Sequence, residues 1–314
     1  MRPMDAILRK ITQQISENHY HGASLAIYNR GQWQEHYIGT IDGKRPVTSD
    51  LVYDLASVSK VVGVATVVAF LVAQGELDID NPLSYYYSDF SNKEVTLRQF
   101  LTHTSGIDPF IPNRDRLTAD ELKTAINHIR VTDKKDFLYT DINFLLLGFM
   151  LEEFSGLSLD QLFEQSIFAP WQMYQTSFGP RLGAVPTSKG VADGLVHDPK
   201  AKVLKEHAGS AGIFSTLEDL KKFLEHYLKD DFAQNLWENL SPSLTKTRAL
   251  GWNLDGDWID HTGYTGPFIM ANRQKQQAVI FLTNRTYEKD DRPEWIAKRK
   301  ELMAVIINTL NQED

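Results

Sequence analysis

The chain contains no cysteine among its 314 residues. That excludes a disulfide framework and thiolate catalysis, but it does not fix the compartment, because many exported proteins also lack cysteine. Clusters of Lys or Arg are missing too. With 33 basic against 41 acidic residues the net charge is −8, which argues against nucleic acid or an anionic membrane surface as a partner. A small molecule or a short peptide is the expected ligand. The first twenty residues, MRPMDAILRKITQQISENHY, mix charge throughout and hold no apolar core of signal-peptide length. As written, the protein is expected to be cytoplasmic, or exported if a leader has been removed. No membrane-spanning segment is expected, since the longest uncharged apolar run, Val61–Ala73, covers thirteen residues and reads as a buried helix. Also absent are the G-x-S-x-G elbow, the G-x-x-x-x-G-K-[ST] phosphate loop, G-x-G-x-x-G and H-E-x-x-H. His19 and His21 form too small a set for a metal site and read as structural or solvated.

The periodicity that is present divides the chain in three. Residues 4–18 have amphipathic helical spacing, with Ile7, Leu8, Ile11 and Ile15 on one side. GASLAIYNRG and QWQEHYIGT alternate as strands around Asn29-Arg30-Gly31, a hairpin signal. A helix follows from Ser57, with Gly75 as its stop. From Asp78 to about Pro199 the pattern is mostly helical, in TLRQFLTHTSG, TADELKTAINHI, INFLLLGFMLEEFSG and SLDQLFEQSIFAPW. After Gly212 comes a helix, TLEDLKKFLEHYL, opened by a capping-box pattern of Ser215 and Glu218. Strands then return in ALGWNLDGDWIDHTG, GPFIMANRQ and QAVIFLTNR, and a helix over about 294–310 closes the chain. Strands at both ends with helices between predict an α+β fold: one antiparallel sheet assembled from N- and C-terminal segments, flanked by helices, with an inserted helical domain. The expected division is a sheet domain of residues 1–77 and 212–314 and an α-rich insertion of residues 78–211.

Within this frame ASVSK, residues 56–60, places a hydroxyl and an amine one helical turn apart at the mouth of the apolar run. About one S-x-x-K is expected by chance in a chain this long, and Ser243 and Lys246 supply another in SPSLTKTR. A helix cap followed by a surface lysine is therefore the plain alternative. As chemistry, Ser57 needs a base to attack a carbonyl, and Lys60 can serve if burial beside Val61, Val62 and Val64 keeps its amine neutral. FLYTDINFLLLGFMLEE offers a phenol, Tyr139, two residues before Asp141. Its plain alternative is Asp141 as a helix cap with Tyr139 packing. In DHTGYTGPFIM, His261-Thr262-Gly263 ends one strand segment, and Gly263 lets a ligand come close to the backbone, although a simple hairpin turn would read the same.

Taken in order, S-x-x-K, Y-x-D and H-T-G resemble the serine β-lactamase and penicillin-binding protein superfamily, most of all its class C branch with the family VIII-type esterases and D-amino-acid peptidases. LDIDNPLSYYY, LRQFLTHTSGI, EHAGSAGIFSTLEDLKKF and VIFLTNR extend the resemblance over roughly residues 20–290. It implies a β-lactamase/transpeptidase-like fold and a nucleophile at Ser57 that becomes acylated and is released by water. It further implies Lys60 as its base, Tyr139 as the proton shuttle to the leaving group, and an oxyanion hole from the N–H groups of Ser57 and Tyr264. Thr262 would complete a hydrogen-bond line from His261 towards Tyr139, and no metal or organic cofactor is required. Two departures bear on substrate. The family pattern has Asn where Asp141 stands and Lys where His261 stands. An ionised Asp accepts but cannot donate to a substrate amide, and it can hold Lys60 in a salt bridge that opposes a neutral amine. A neutral His binds a carboxylate weakly. These changes predict a serine hydrolase for small esters or amides, of esterase or D-amino-acid peptidase type. The alternatives are a D-alanyl-D-alanine carboxypeptidase or weak β-lactamase, and a non-catalytic binding protein that keeps the fold.

Overall fold

The computed structural model describes residues 3–312. Its strands, in chain order, are β1 (Gly22–Asn29), β2 (Gln32–Gly39), β3 (Val52–Asp54), β4 (Ser177–Phe178), β5 (Ile213–Thr216), β6 (Asn253–Asp255), β7 (Trp258–Thr262), β8 (Phe268–Asn272) and β9 (Gln277–Leu282). Six of them form one antiparallel sheet in the order β2-β1-β9-β8-β7-β6. The expected hairpin is present. Arg30 and Gly31 both take positive φ, 51° and 79°, which gives a two-residue reversal whose twist suits the flanking strands.

Alternation along the central strands separates two apolar layers. Val279 and Phe281 of β9 face Ile7 and Ile11 of helix Pro3–Ser16 and Trp295, Leu302 and Ile306 of helix Arg292–Gln312. Ala278, Ile280 and Leu282 face the larger cluster. That cluster runs on through Val61, Val64 and Val68 to Phe144, Leu147 and Leu151 of helix Asp141–Ser155. The strand β9 is thus covered on both faces, which is why it reads as an unbroken apolar run.

The helical stretch Ala56–Ala73 is the axis of this layer. It begins as a 3₁₀ turn (Ala56–Val58), passes through a π-helical segment (Lys60–Ala65) and ends as an α-helix (Thr66–Ala73). Gly75, at φ 74°, closes it, with Glu76 N–H donating to the Leu71 carbonyl at 2.8 Å. At eighteen residues the stretch is longer than the thirteen-residue run suggested, and by length and composition it could cross a membrane, but 72% of it is buried inside the protein.

Two local expectations are corrected. The cap of helix Leu217–Lys229 is Thr216, whose hydroxyl accepts from Asp219 N–H at 3.2 Å. Ser215 lies in β5 and its hydroxyl pairs with that of Thr176 at 2.7 Å. The strands β3, β5 and β4, in that order, form a second small sheet that periodicity did not announce. Strands of two to four residues are too short to show a period.

Gly63 faces the ring of Phe163, and an added Cβ would stand 2.6 Å from its Cζ. Both sit in the fully packed layer, so Gly63→Ala is expected to lower the unfolding free energy by about 1–3 kcal/mol, measured as a lower urea midpoint with an unchanged slope.

Candidate active site

Ser57 stands on a strained turn. Ala56, before it, has φ 47°, a left-handed conformation that costs a residue with a Cβ. The carboxylate of Asp54 holds the turn there. One oxygen accepts the Ala56 N–H at 2.8 Å, and the other accepts the His197 N–H at 2.9 Å. Burial pushes the Asp54 carboxyl up to about 6, against these two hydrogen bonds. The N–H of Ser57, in the first turn of a helical segment, has no partner further back along the helix.

Lys60 lies one turn on, with its side chain fully buried. Its ammonium donates to Ser57 Oγ at 2.8 Å, to Asp141 Oδ1 at 2.8 Å and to the Ser210 carbonyl at 3.0 Å. The expectation of a neutral lysine fails here. Burial does favour the neutral amine, but the charge of Asp141 outweighs it and holds Lys60 above its ordinary pKa. Asp141 is not the cap of its helix either. Thr140 is, accepting from Ile142 N–H at 3.3 Å. The Asp141 carboxylate instead bridges Lys60 and Lys200, the latter 3.0 Å from Oδ2. Burial opposes its charge, but the two ammonium groups hold it well below the usual carboxylate range.

Tyr139 is 37% exposed and lies over this pair, its ring centroid 5.1 Å from Lys60 Nζ. On the far side of the ring, 6.4 Å between centroids, is His261 on β7. Burial, reinforced by Arg248 and Lys60, pushes the His261 pKa well below its ordinary value, so the ring is neutral. Its Nδ1 lies 3.0 Å from the Thr262 carbonyl, which only accepts, so Nδ1 carries the proton and Nε2 is left with its lone pair. The link is to the Thr262 backbone. The Thr262 hydroxyl makes no hydrogen bond among the described residues, so a line through it to Tyr139 is not formed. Gly263 is small for a reason other than ligand approach. A Cβ there would meet the Leu55 carbonyl at 2.6 Å and Ala56 Cβ at 3.2 Å, so the missing side chain lets the Ser57 turn pack against the strand end. Tyr264 follows in a turn whose backbone bonds run from Gly263 to Pro267 and from Gly266 to Gly263, leaving the Tyr264 N–H unused among the described residues.

Ser57, Tyr139, Asp141, His261, Thr262, Gly263 and Tyr264 all line one cleft of about 690 Å³. Ser243 and Lys246 do not. There the Lys246 backbone N–H donates to Ser243 Oγ at 3.0 Å in an exposed turn, so the second S-x-x-K is a turn motif. His19 and His21 are each paired with a glutamate, Glu17 at 3.1 Å and Glu288 at 3.0 Å.

Sequence reasoning missed the cationic lining of the cleft. Arg248 is 2% exposed, and burial pulls its pKa down to about 10, still a cation at neutral pH. It donates to the Gly251 carbonyl at 3.1 Å and to Asn253, while its Nε–H is buried without a partner. Arg285 donates to the Tyr264 carbonyl at 2.9 Å and pairs with Asp290, leaving one terminal nitrogen unpartnered, and Arg299 Nε is unpartnered as well. These arginines are scattered along the sequence, so no cluster marked them.

Comparison with known proteins bears on the family and the fold. A model of the Beta-lactamase family matches residues 7–303. A protein of Salmonella agona (strain SL483), provisionally named a D-alanyl-D-alanine carboxypeptidase, is 24% identical over 306 residues, covering 76% of this chain and 71% of its own. One of Escherichia coli O157:H7 with the same provisional name is 25% identical over 354 residues, covering 89% and 81%. Among solved structures, EstCE1, a hydrolase with promiscuous acyltransferase activity, superposes with a TM-score of 0.77 at 17% identity, over 96% of this chain and 98% of that one. The antiparallel sheet with its helices is the β-lactamase/transpeptidase-like fold, and the chain belongs to the Beta-lactamase family.

Proposed function

We propose that the protein is a serine hydrolase that cleaves a small ester or amide through an acyl-enzyme on Ser57. The observation that carries this reading is the 2.8 Å contact between Lys60 Nζ and Ser57 Oγ on the wall of a cleft, with the Tyr139 phenol over the same ammonium. Lys60 need not be neutral at rest. Once Lys60 has lost a proton, its amine takes the Ser57 proton as Oγ attacks, the ammonium so formed yields one to the Tyr139 oxygen, and the Tyr139 proton goes to the leaving group. Lys60 ends the step as the amine that began it, and Ser57 gains an acyl bond as the substrate loses its leaving group. Water reverses the sequence in deacylation. Ser57 and Tyr264 N–H groups would receive the developing oxyanion.

The cleft also favours one class of substrate. A buried Arg248 with an unpartnered Nε–H, beside Arg285 and Arg299, suits a substrate that carries a carboxylate. With His261 neutral, that role falls to the arginines. This supports a peptidase reading, in which the substrate is a short peptide ending in a free carboxylate, as the names of the relatives suggest. A cytoplasmic location remains part of the proposal and favours small soluble peptides or esters over the cell wall.

Hydrolysis of p-nitrophenyl acetate and nitrocefin measured side by side tests the core of this reading. Ser57→Ala and Lys60→Ala are each expected to lose at least 10²–10⁴-fold in turnover, while Ser243→Ala keeps it. Unchanged turnover in Ser57→Ala rejects the Ser57 acyl-enzyme, and absence of turnover in the parent protein leaves a binding protein. Asp141→Asn removes the charge that raises the Lys60 pKa, so the acid limb of the kcat/KM profile, set by loss of the Lys60 proton, is expected to move to lower pH. The same variant gains a donor for amide-flanked substrates and is expected to be acylated faster by penicillins. Intact-protein mass spectrometry reads the second effect, and no gain in acylation refutes the account of Asp141.

A further inference from the structure

Tyr139 enters the cleft from a coil that packs on one buried residue, His103. Its ring lies against that of Tyr139, with centroids 4.4 Å apart and planes at 32°. The His103 carbonyl accepts the Leu138 N–H at 2.9 Å, and its Nδ1 accepts the Thr140 N–H at 3.3 Å. One side chain and its backbone therefore grip residues 138, 139 and 140 together. His103 does this in a left-handed conformation, φ 55°, that a residue with a Cβ rarely adopts, which is the kind of local cost that persists where surrounding structure demands it.

The ring is oriented as closely as the backbone. Ser105 Oγ donates to Asn143 Oδ1 at 2.7 Å, and Asn143 Nδ2 donates to His103 Nδ1 at 2.9 Å. With two donors aimed at it, Nδ1 carries no proton and the proton sits on Nε2. On the second face Phe144 stacks at 5.5 Å. The site is fully buried and faces the cations Lys60 and Arg248, so the ring stays uncharged. A phenylalanine could fill this space and stack on Tyr139, but it would strand the Thr140 and Asn143 donors. Histidine meets both demands.

Resting on the hydrolase reading above, we propose that His103 is a positioning residue: it fixes the Tyr139 phenol opposite Lys60 by stacking on its ring and pinning the backbone on either side. It touches neither substrate nor Ser57, and its effect is routed through Tyr139.

The test exploits the leaving group. A p-nitrophenoxide departs without a proton, whereas an alkyl ester needs the one Tyr139 delivers. His103→Phe keeps the stack and loses the acceptor; His103→Asn keeps an acceptor, tolerates left-handed φ and loses the stack. Each is expected to slow the alkyl ester about 10–100-fold, the scale of a misplaced catalytic group. Each should slow the p-nitrophenyl ester at least tenfold less, with KM within about threefold. Tyr139→Phe should show the same bias, and the double variant His103→Phe/Tyr139→Phe should be no slower than Tyr139→Phe alone. Equal losses on both esters, or losses that multiply with Tyr139→Phe, overturn the proposal. If neither His103 variant folds, Asn143→Ala, which frees the ring while leaving His103 in place, must show the same bias in smaller measure, and parental rates there overturn it. A crystal structure of His103→Asn gives a readout independent of turnover. Displacement of the Tyr139 hydroxyl by more than about 1 Å supports the inference even if Ser57 proves inert, and an unmoved hydroxyl refutes it.

Discussion

A fully charged ammonium in the interior is the constraint around which this protein is arranged. An unpaired ion of that size in a low-dielectric interior would cost many kcal/mol, so Lys60 must collect partners. It takes them from three separate parts of the chain: Ser57 from its own helix, Asp141 from the next long helix, and the Ser210 carbonyl from the segment before β5. Satisfying that one charge draws the sheet and the helical segment together at a single point. The cleft is the space left beside it.

The same interaction explains why composition and site chemistry pull apart. The chain is acidic overall, yet the cleft is lined by Lys200, Arg248, Arg285 and Arg299. Asp141, where the family pattern has a neutral Asn, adds one negative charge beside Ser57 and Lys60. Lys200 compensates it from the opposite wall at 3.0 Å. The pair leaves the local charge close to that of a site with Asn, while the Lys60 proton is held far more tightly. A mechanism that needs a free amine at rest is poorly served by this arrangement. The amine that takes the Ser57 proton is therefore a minor form at neutral pH, reached when the ammonium gives up a proton.

Much of this was legible in the sequence, and the limits have physical causes. Strands with five or more residues and a two-residue turn, such as β1 and β2, declared themselves through alternation. Ser57 and Lys60 stood out because a lysine is costly inside an apolar helix. Three kinds of feature did not show. The small sheet of β3, β4 and β5 has too few residues per strand to set a period. The Asp141–Lys60 salt bridge could be anticipated, but the second partner of Asp141, Lys200, lies 59 positions later, and no local pattern carries that distance. Arg248 and His103 are single residues whose importance lies in their surroundings: Arg248 becomes a cleft cation only once β6 and β7 bury it, and His103 only once residues 138–140 fold back across it. The glycine at 263 has the Ser57 turn as its neighbour, which its place in a strand-end motif did not announce.

The order of strands carries a consequence for how the chain is made. Strand β1, near the start, has β9 as its inner neighbour, pairing Ser24 with Leu282 and Tyr28 with Ala278. A nascent polypeptide therefore emerges from the ribosome with its first hairpin lacking its inner neighbour until β9 has been made. Such long-range closure is slow, and the interval exposes surfaces prone to self-association. An edge of β1 left open through most of the chain's synthesis is the cost of a sheet whose two halves are translated so far apart.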